Sequence, residues 1–369
     1  MTDKQNTSDQ YYMREALRLA RRGLGSTSPN PMVGAVIVSN DRIIGRGYHH
    51  SFGDKHAEIN AIESARESIA GTTIYITLEP CCHHGKTPPC VDALIQHNIG
   101  RVVIGMLDPN PQVNGKGVER LRQHSIETTV SVLEKECHAL NEAYIKHITT
   151  GLPLVTVKFA QTLDGRIATV TGSSHWISGE ESLKLAHRLR ASNDAVMVGS
   201  GTILADDPRL TVRLVRGRSP ARVILDSRLR IPLTAKVLTE QEATPTIIAT
   251  TTHANEKKLA GLRQMGIEIS VIKEDRHGEV DLELLLKVLG QRGISSVLVE
   301  GGAEVITSLL RQKLVDKLVI FVAPKIMGRG IEAVGELNTG DVSQSLPLSF
   351  TRTYRSGTDL VIEASVNRD

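Results

Sequence analysis

The strongest constraint on the fold is an alternation that runs the length of the chain. Strand-length runs rich in Val and Ile take turns with helix-length segments, and the pattern pauses and restarts near residue 150. In the first half, Met13, Leu17 and Ala20 recur at helical spacing. Residues 31–40 and 42–50 read as strands joined by the polar turn Asn40-Asp41. The pattern then predicts a helix from Lys55 to Ile69, a strand over 71–78, and a helix with Thr87 as N-cap and Pro88 in first position. A strand over 101–107, a helix from Val118 to Gln123, a strand over 126–133 and one connecting helix over 134–151, closed by Gly151 and Pro153, complete it. In the second half, strands are expected over 152–165, 194–200, 221–227, 244–250, 267–272, 296–301 and 317–324. Helices are expected at 180–191, 255–265, 281–291 and 303–312, with a C-terminal hairpin over 348–366 turning at Ser356-Gly357. Strands alternating with helices of this length imply α/β architecture, a sheet with helices on both faces, in two domains, 1–150 and 151–369.

Composition narrows the functional classes. At 369 residues, with 40% hydrophobic side chains, the chain can fill two cores, and with only 3% aromatics those cores must be aliphatic. A formal charge of +3 gives no reason to expect a nucleic-acid or membrane surface. The polar start, MTDKQNTSDQ, has no signal-peptide core, and no apolar run approaches membrane-span length. A cytoplasmic protein without membrane or nucleic-acid partners is expected.

Three of the four cysteines fall within EPCCHHGKTPPC, residues 79–90. In a reducing compartment such a cluster points to metal or catalysis, and adjacent Cys81 and Cys82 rarely satisfy disulfide geometry. A catalytic zinc takes three protein ligands and leaves one position open. Cys81 and Cys90 can supply two thiolates. Upstream, His56 and Glu58 in HAEINAI share the first turn of a helix and can reach past its end. His-x-Glu followed by Pro-Cys and a later Cys is the zinc-deaminase pattern, in which the glutamate carries protons and binds no metal. The usual second half is Cys-x-x-Cys; here eight residues separate the two cysteines, so Cys82, His83 and His84 compete as ligands, and a closed four-ligand structural zinc is the rival. Cys137, alone in a helix, reads as a small buried hydrophobe. Asn30, between two prolines at a strand entrance, is either a turn residue or an amide for a pyrimidine edge. His49 and His50 end a strand, and Lys86 beside the metal loop is a candidate phosphate contact.

The second half carries weaker signals. GSGTIL lacks the third glycine of the dinucleotide fingerprint, which argues against a Rossmann domain. VLVEGGAEVITSLL reads as strand, Gly-Gly, helix, either a tight turn or a phosphate cradle. ADDPRLTVR gathers Asp206, Asp207, Arg209 and Arg213 in a charged loop.

Together, TSPNPMVGAVIV, HAEINAI, TLEPCCHHGKTPPCVDALI and GMLDPNPQVNGKG resemble the deaminase half of the bifunctional deaminase–reductase family of riboflavin biosynthesis. VKFAQTLDGRIAT, GSSHWISG, HRLRASNDAVMVGSGTILADDPRLTVR, VLVEGG and LVDKLVIFVAPKIMG resemble its reductase half. The wide cysteine spacing is normal for that family, which often carries serine at the Cys82 position. The resemblance implies a cytidine-deaminase-like α/β/α domain followed by a dihydrofolate-reductase-like α/β domain. It implies one zinc on His56, Cys81 and Cys90, with Glu58 as proton donor and acceptor. It also implies NADPH against Ala160, Trp176, Thr202, Asp206 and the run Gly302, Ala303, Glu304. Substrate would meet Ser174, Arg190, Leu210, Arg213 and Glu300, with Asn30, Lys86 and Lys158 as further candidates and Asp164 serving phosphate or structure. The implied chemistry is hydrolytic deamination of a phosphoribosylated diaminopyrimidine, then hydride transfer to the ribosyl C1, through an opened imine, to give a ribityl chain. A homo-oligomer, dimer or tetramer, is implied as well.

Two rivals make different demands. A deaminase of tRNA or single-stranded DNA needs a basic second half with stacking aromatics, which are scarce here. A metal-stabilised scaffold with no activity leaves Glu58 without a role.

Overall fold

The computed structural model describes residues 3–83, 88–174 and 177–367. The chain divides between Gly151 and Leu152 into two compact units. The first contains α1 (Asp3–Ala20), β1 (Gly34–Ser39), β2 (Arg42–Tyr48), α2 (Ala57–Ser64), β3 (Thr73–Ile76), α3 (Cys90–Gln96), β4 (Arg101–Ile104), α4 (Lys116–Gln123), β5 (Glu127–Thr129), α5 (Glu134–Leu140) and α6 (Glu142–Thr150). The second contains β6 (Leu154–Thr162), β7 (Arg166–Thr169), α7 (Glu180–Ser192), β8 (Ala195–Gly199), α8 (Ser200–Asp206), β9 (Ala221–Leu225), β10 (Thr246–Thr250), α9 (Glu256–Gln264), β11 (Glu268–Val271), α10 (Leu282–Gln291), β12 (Ser296–Val299), α11 (Ala303–Arg311), β13 (Lys317–Ala323), β14 (Gly330–Glu332), β15 (Leu348–Ser356) and β16 (Asp359–Val366).

The first unit is a five-stranded sheet in the order β2-β1-β3-β4-β5. Its hairpin turns at Asn40 and Asp41, both at positive φ (47° and 58°), the conformation a two-residue hairpin demands. Side-chain period two then builds two cores. Ala35, Ile37, Ile74, Ile76, Val102 and Ile104 pack against Ala57, Ala61, Val91, Leu94 and Leu121 from α2, α3 and α4. The alternate residues Val36, Val38, Tyr75 and Val103 pack against Met13, Ala16 and Leu17 of α1 and Cys137 of α5. Gly47 is required where α2 meets β2, since a Cβ there would run into the Ala57 carbonyl oxygen. That close approach fixes the head of α2, which carries His56 and Glu58.

The second unit holds a nine-stranded sheet, β11-β10-β9-β8-β12-β6-β13-β16-β15. The seven strands from β11 to β13 are parallel, and the β15–β16 hairpin adds an antiparallel edge. Val155, Val157, Met197, Val297 and Val299 meet Leu285, Leu286 and Leu289 of α10 and Ile306 and Leu309 of α11 on one face. Val196, Val198, Ile224 and Ile248 meet Leu259 and Leu262 of α9 on the other.

Several elements differ from expectation, each for a local reason. The helix expected over 55–69 ends at Ser64, because Ala65 turns extended and the chain brings Ile69 back into the core. α3 starts at Cys90, not Pro88: a residue before proline is pushed out of the helical region, and Pro88 precedes Pro89. Thr87, its expected cap, lies outside the described residues. The connecting helix over 134–151 breaks at Asn141, whose amide binds both the N–H and the C=O of Met32 (2.8 and 3.0 Å). The strand expected over 126–133 is only Glu127–Thr129, since Ser131 and Leu133 take positive φ. The C-terminal hairpin turns one residue later, at Gly357-Thr358. The short elements α8, β7 and β14 carry too little periodicity to be read from sequence.

Candidate functional site

In the first unit, His56 is the N-cap of α2 in extended backbone, Glu58 lies in its first turn, and Cys90 opens α3. His56 Nδ1 lies 3.3 Å from Cys90 Sγ and 3.6 Å from Cys81 Sγ, and the Cys90 backbone N–H donates to Cys81 Sγ at 3.3 Å. Among the described residues this is the one group of three His, Cys or acidic side chains placed to hold a metal, with all ligand atoms within 4.8 Å of one another. Tetrahedral zinc, with Zn–S about 2.3 Å and Zn–N about 2.0 Å, sets nitrogen and sulfur about 3.5 Å apart. The donor set and its spacing fit that ion. Cys82 does not join the cluster and packs against the core beneath α2 and α3. His83 does not join it either; it lines the adjoining cavity. His84 and Lys86 lie outside the described residues.

The electrostatics favour a cation. Hydrogen bonding from Cys90, then from His56, pulls the Cys81 thiol down to about 4. The same bond and burial push Cys90 well up, so one thiolate forms readily and a second needs a positive charge beside it. Glu58 is 3% exposed, and burial, followed by the charge of Cys81, pushes it up to about 7.

His56, Glu58 and Cys81 open into a cavity of about 380 Å³ whose other walls include Asn30, His49, His83 and Asp108. Asn30 Nδ2 meets His49 Nε2 at 3.1 Å, and His49 Nδ1 meets the Lys55 carbonyl at 3.1 Å. These partners assign the proton to Nδ1, so the Asn30 amide donates to Nε2 and turns its carbonyl oxygen away from His49. Burial lowers the His49 pKa and keeps the ring neutral. Asn141, through Met32, holds the same Pro-Asn-Pro segment from behind. Glu79 accepts from the N–H groups of Asp108, Gly115 and Val118 (3.2, 2.9 and 3.1 Å), and Tyr144 donates to Asp108 (2.9 Å), fixing the loop opposite. His49, Glu79 and Asp108 escape a reading of the sequence because their roles depend on partners distant along the chain.

In the second unit, Glu300 follows β12 and accepts from Nε and Nη2 of Arg190 (2.6 and 3.0 Å), with Lys158 Nζ 4.0 Å away. Arg190 also donates to the Thr211 carbonyl (3.2 Å), and Arg213 donates to the Thr211 hydroxyl (2.6 Å). The Arg213 backbone N–H donates to His187 Nδ1 (3.0 Å). Two cations thus face the Glu300 carboxylate, with Arg213 joined to them through Thr211, and their surplus of positive charge calls for an anion. Lys158, Ala160 and Ser174 share a cavity of about 260 Å³. Leu210 has its side chain in the core, so only its backbone, at φ +57°, is available to a ligand. Asp164 is a clamp: it accepts from the Thr162 hydroxyl and from the N–H groups of Met327 and Gly328, which pull it down to about 2.

β8 and β12 are parallel neighbours, but the chain leaves β8 towards β9 on one side and leaves β12, through α11, towards β13 on the other. Ligands of open α/β sheets bind in the crevice at such a divergence. Gly302 caps α11, Ala303 and Glu304 form its first turn, and Thr202 Oγ1 lies 3.8 Å from the place a Gly302 Cβ would occupy. The gap beside Gly302 and the free N–H groups of α11 fit a dinucleotide phosphate. Asp206 is exposed, one turn along α8 from Thr202. Trp176 lies outside the described residues. No described helix is long and apolar enough to cross a membrane.

Comparison with known proteins matches both halves. Residues 153–362 fit the family described as RibD C-terminal domain, and residues 6–106 fit the cytidine and deoxycytidylate deaminase zinc-binding region. The chain is 46% identical over 355 residues to the riboflavin biosynthesis protein RibD of Aquifex aeolicus, covering 96% of this chain and 97% of that one. It is 39% identical to the Escherichia coli protein of the same name, covering 87% and 89%. Among solved structures, RibD of Acinetobacter baumannii aligns with a TM-score of 0.89 at 36% identity, covering 98% of this chain and 100% of that one. A Thermotoga maritima protein described as a diaminohydroxyphosphoribosylaminopyrimidine deaminase/5-amino-6-(5-phosphoribosylamino)uracil reductase aligns at 0.88 and 39% identity, with the same coverage.

Proposed function

The chain belongs to the RibD family, bifunctional deaminases and reductases of riboflavin biosynthesis, and from that premise we propose how its two units divide the work. The first deaminates 2,5-diamino-6-(5-phosphoribosylamino)pyrimidin-4(3H)-one, and the second reduces the ribosyl group with NADPH to give 5-amino-6-(5-phosphoribitylamino)uracil. The observation that carries this reading is the cluster of His56, Cys81 and Cys90 at the edge of a cavity that His56, Cys81 and Glu58 line.

His56, Cys81 and Cys90 would hold zinc, which would supply the Lewis acidity that lowers the pKa of water towards neutrality. Glu58 takes a proton from the attacking water and returns it to the departing ammonia. Its buried place in the first turn of α2 lets one carboxyl face both reacting groups in turn. Asn30, oriented by His49, presents its carbonyl oxygen to the pyrimidine edge, and Lys86 meets the phosphate.

In the second unit, Arg190, Arg213 and Lys158 receive the phosphoribosyl group, with Ser174 and the Leu210 backbone beside it. Glu300 holds Arg190 and Lys158 in place. NADPH, when bound, would supply the hydride, and Ala160, Trp176, Thr202, Asp206 and the run from Gly302 to Glu304 would hold it. The chain works as a cytoplasmic homo-oligomer, dimer or tetramer, which sedimentation of the purified protein tests.

Product analysis by mass spectrometry tests the order of steps. Zinc-loaded protein given the diaminopyrimidine without NADPH should exchange an amino group for oxygen and stop there. With NADPH present, the reduced ribityl product should follow. Reduction without deamination, or no ammonia release, contradicts the proposal.

A further inference from the structure

We propose that His187 is a positioning residue of the second unit's site: its imidazole holds the segment 211–213 so that Arg213 faces the phosphoribosyl group. The inference rests on the substrate reading of Arg213 above. Residues 207–220, between α8 and β9, form neither helix nor strand, so side chains must fix the backbone that carries Arg213. His187 and Arg190 stand three residues apart on α7 and share one face of that helix. Both hold the same segment. Arg190 donates to the Thr211 carbonyl (3.2 Å), and His187 Nδ1 accepts the Arg213 N–H (3.0 Å). Between them, the Val212 N–H donates to Ser219 Oγ (3.0 Å), so three consecutive residues are each tied through the backbone.

The ring is suited to that bond. His187 is buried, and burial, then the charges of Arg190 and Arg213, lower its pKa to about 4. Near neutral pH the imidazole is therefore uncharged, with its proton on Nε2 and a lone pair on Nδ1 for the Arg213 N–H. The helix behind it is itself fixed. At its head Asp359 accepts from the Gly179 N–H (2.8 Å) and the Ser182 hydroxyl (2.6 Å), and along its length Ala186 packs on Val319, Phe321 and Val361 of the sheet. His187 thus ties an irregular segment to a helix that the sheet already holds. The Arg213 guanidinium, braced on the Thr211 hydroxyl (2.6 Å), is carried with that segment towards the cluster at Arg190, Lys158 and Glu300.

The test is steady-state reduction of the deaminated phosphoribosyl intermediate by the full chain, comparing His187→Leu, His187→Asn, Arg213→Gln and the double variant His187→Leu/Arg213→Gln. Leucine fills the space without an acceptor, whereas asparagine sets an amide oxygen near the place of Nδ1. His187→Leu should raise KM for the intermediate about 10-fold, with kcat and the KM for NADPH within about 2-fold of wild type. His187→Asn should recover most of that loss. In the Arg213→Gln background His187→Leu should add less than about 2-fold, because the group it positions is already gone. His187→Ala, read in the same way, replaces the leucine variant if that protein does not fold. If the two single effects multiply in full, or if KM for NADPH rises by the same factor, His187 does not act through Arg213. If Arg213→Gln alone leaves KM for the intermediate unchanged, the substrate reading of Arg213 falls and this proposal falls with it.

Discussion

Glu58, in the first turn of α2, is one carboxylate beside two sulfurs, whereas Glu300, after β12, is one carboxylate facing two cations. Glu58 is buried and lines the first cavity, and Glu300, with its side chain 9% exposed, pairs with Lys158, which lines the second. Burial alone raises a carboxyl pKa. At Glu58 it acts with the Cys81 charge and drives the group up to about 7. At Glu300 the charge and hydrogen bonds of Arg190, and then Lys158, more than offset burial and leave the pKa below its ordinary value. The same side chain has its pKa raised in one unit and lowered in the other, and its neighbours make the difference; on the proposed reading that suits Glu58 to carry protons and Glu300 to stay an anion.

That contrast can be broken in several ways, beginning with the largest effect. Stripping the metal with a chelator should abolish ammonia release while NADPH-dependent reduction of the deaminated intermediate persists; loss of both activities would mean that the two clusters are not independent. Glu300→Gln leaves Arg190 and Lys158 buried without their counter-charge. It should destabilise the second unit by about 3 kcal/mol. Urea unfolding followed by circular dichroism reads the loss. A stable Glu300→Gln protein would show that the carboxylate does not anchor the cluster.

Arg213→Gln should raise KM for the phosphorylated intermediate about 10-fold with kcat nearly unchanged, because it removes a charged contact present before and during hydride transfer. A drop in kcat at constant KM would move Arg213 from binding to the reacting centre.

A smaller effect should appear in stability against pH. Burial, then Arg190 and Arg213, hold His187 at about 4 in the folded state against an ordinary 6.5; Lys158 and Glu300 also face it. Between those values the unfolded chain binds more protons, so stability falls as pH drops through that window. The loss at pH 5 should be about 1–2 kcal/mol relative to pH 7, read from urea midpoints, and His187→Gln should flatten it. The smallest effect belongs to Cys82→Ser, which should change neither zinc content nor ammonia release. A fall in either would place Cys82 in the metal shell.

The two clusters also differed in how far the sequence disclosed them. Cysteine is scarce, with four in the chain, and three of them gather in twelve residues, so Cys81 and Cys90 stand out, and His56 with them through the His-x-Glu pattern, even across 34 positions. Arginine, lysine and glutamate are common on every surface, and nothing local separates Arg190 or Glu300 from solvated charges. Their roles rest on family resemblance until the sheet order brings β6 and β12 together. Strand and helix alternation was legible because burial on two faces imposes period. Short elements such as α8 were not, since seven residues barely complete two turns. His49 illustrates a further limit. Beside His50 it looks like one of two equivalent strand-end histidines, and only tertiary packing makes one of them the buried partner of Asn30.

The central claim, that Glu58 moves protons at a zinc held by His56, Cys81 and Cys90, is tested most directly by measuring zinc content and ammonia release together in Glu58→Gln and Cys90→Ser. The account predicts that Glu58→Gln keeps its zinc and loses ammonia release by about 10²- to 10⁴-fold, while Cys90→Ser loses the metal. A Glu58→Gln protein that still deaminates at the wild-type rate, or a Cys90→Ser protein that retains its zinc, would contradict it and turn attention to His83 and His84 as ligands.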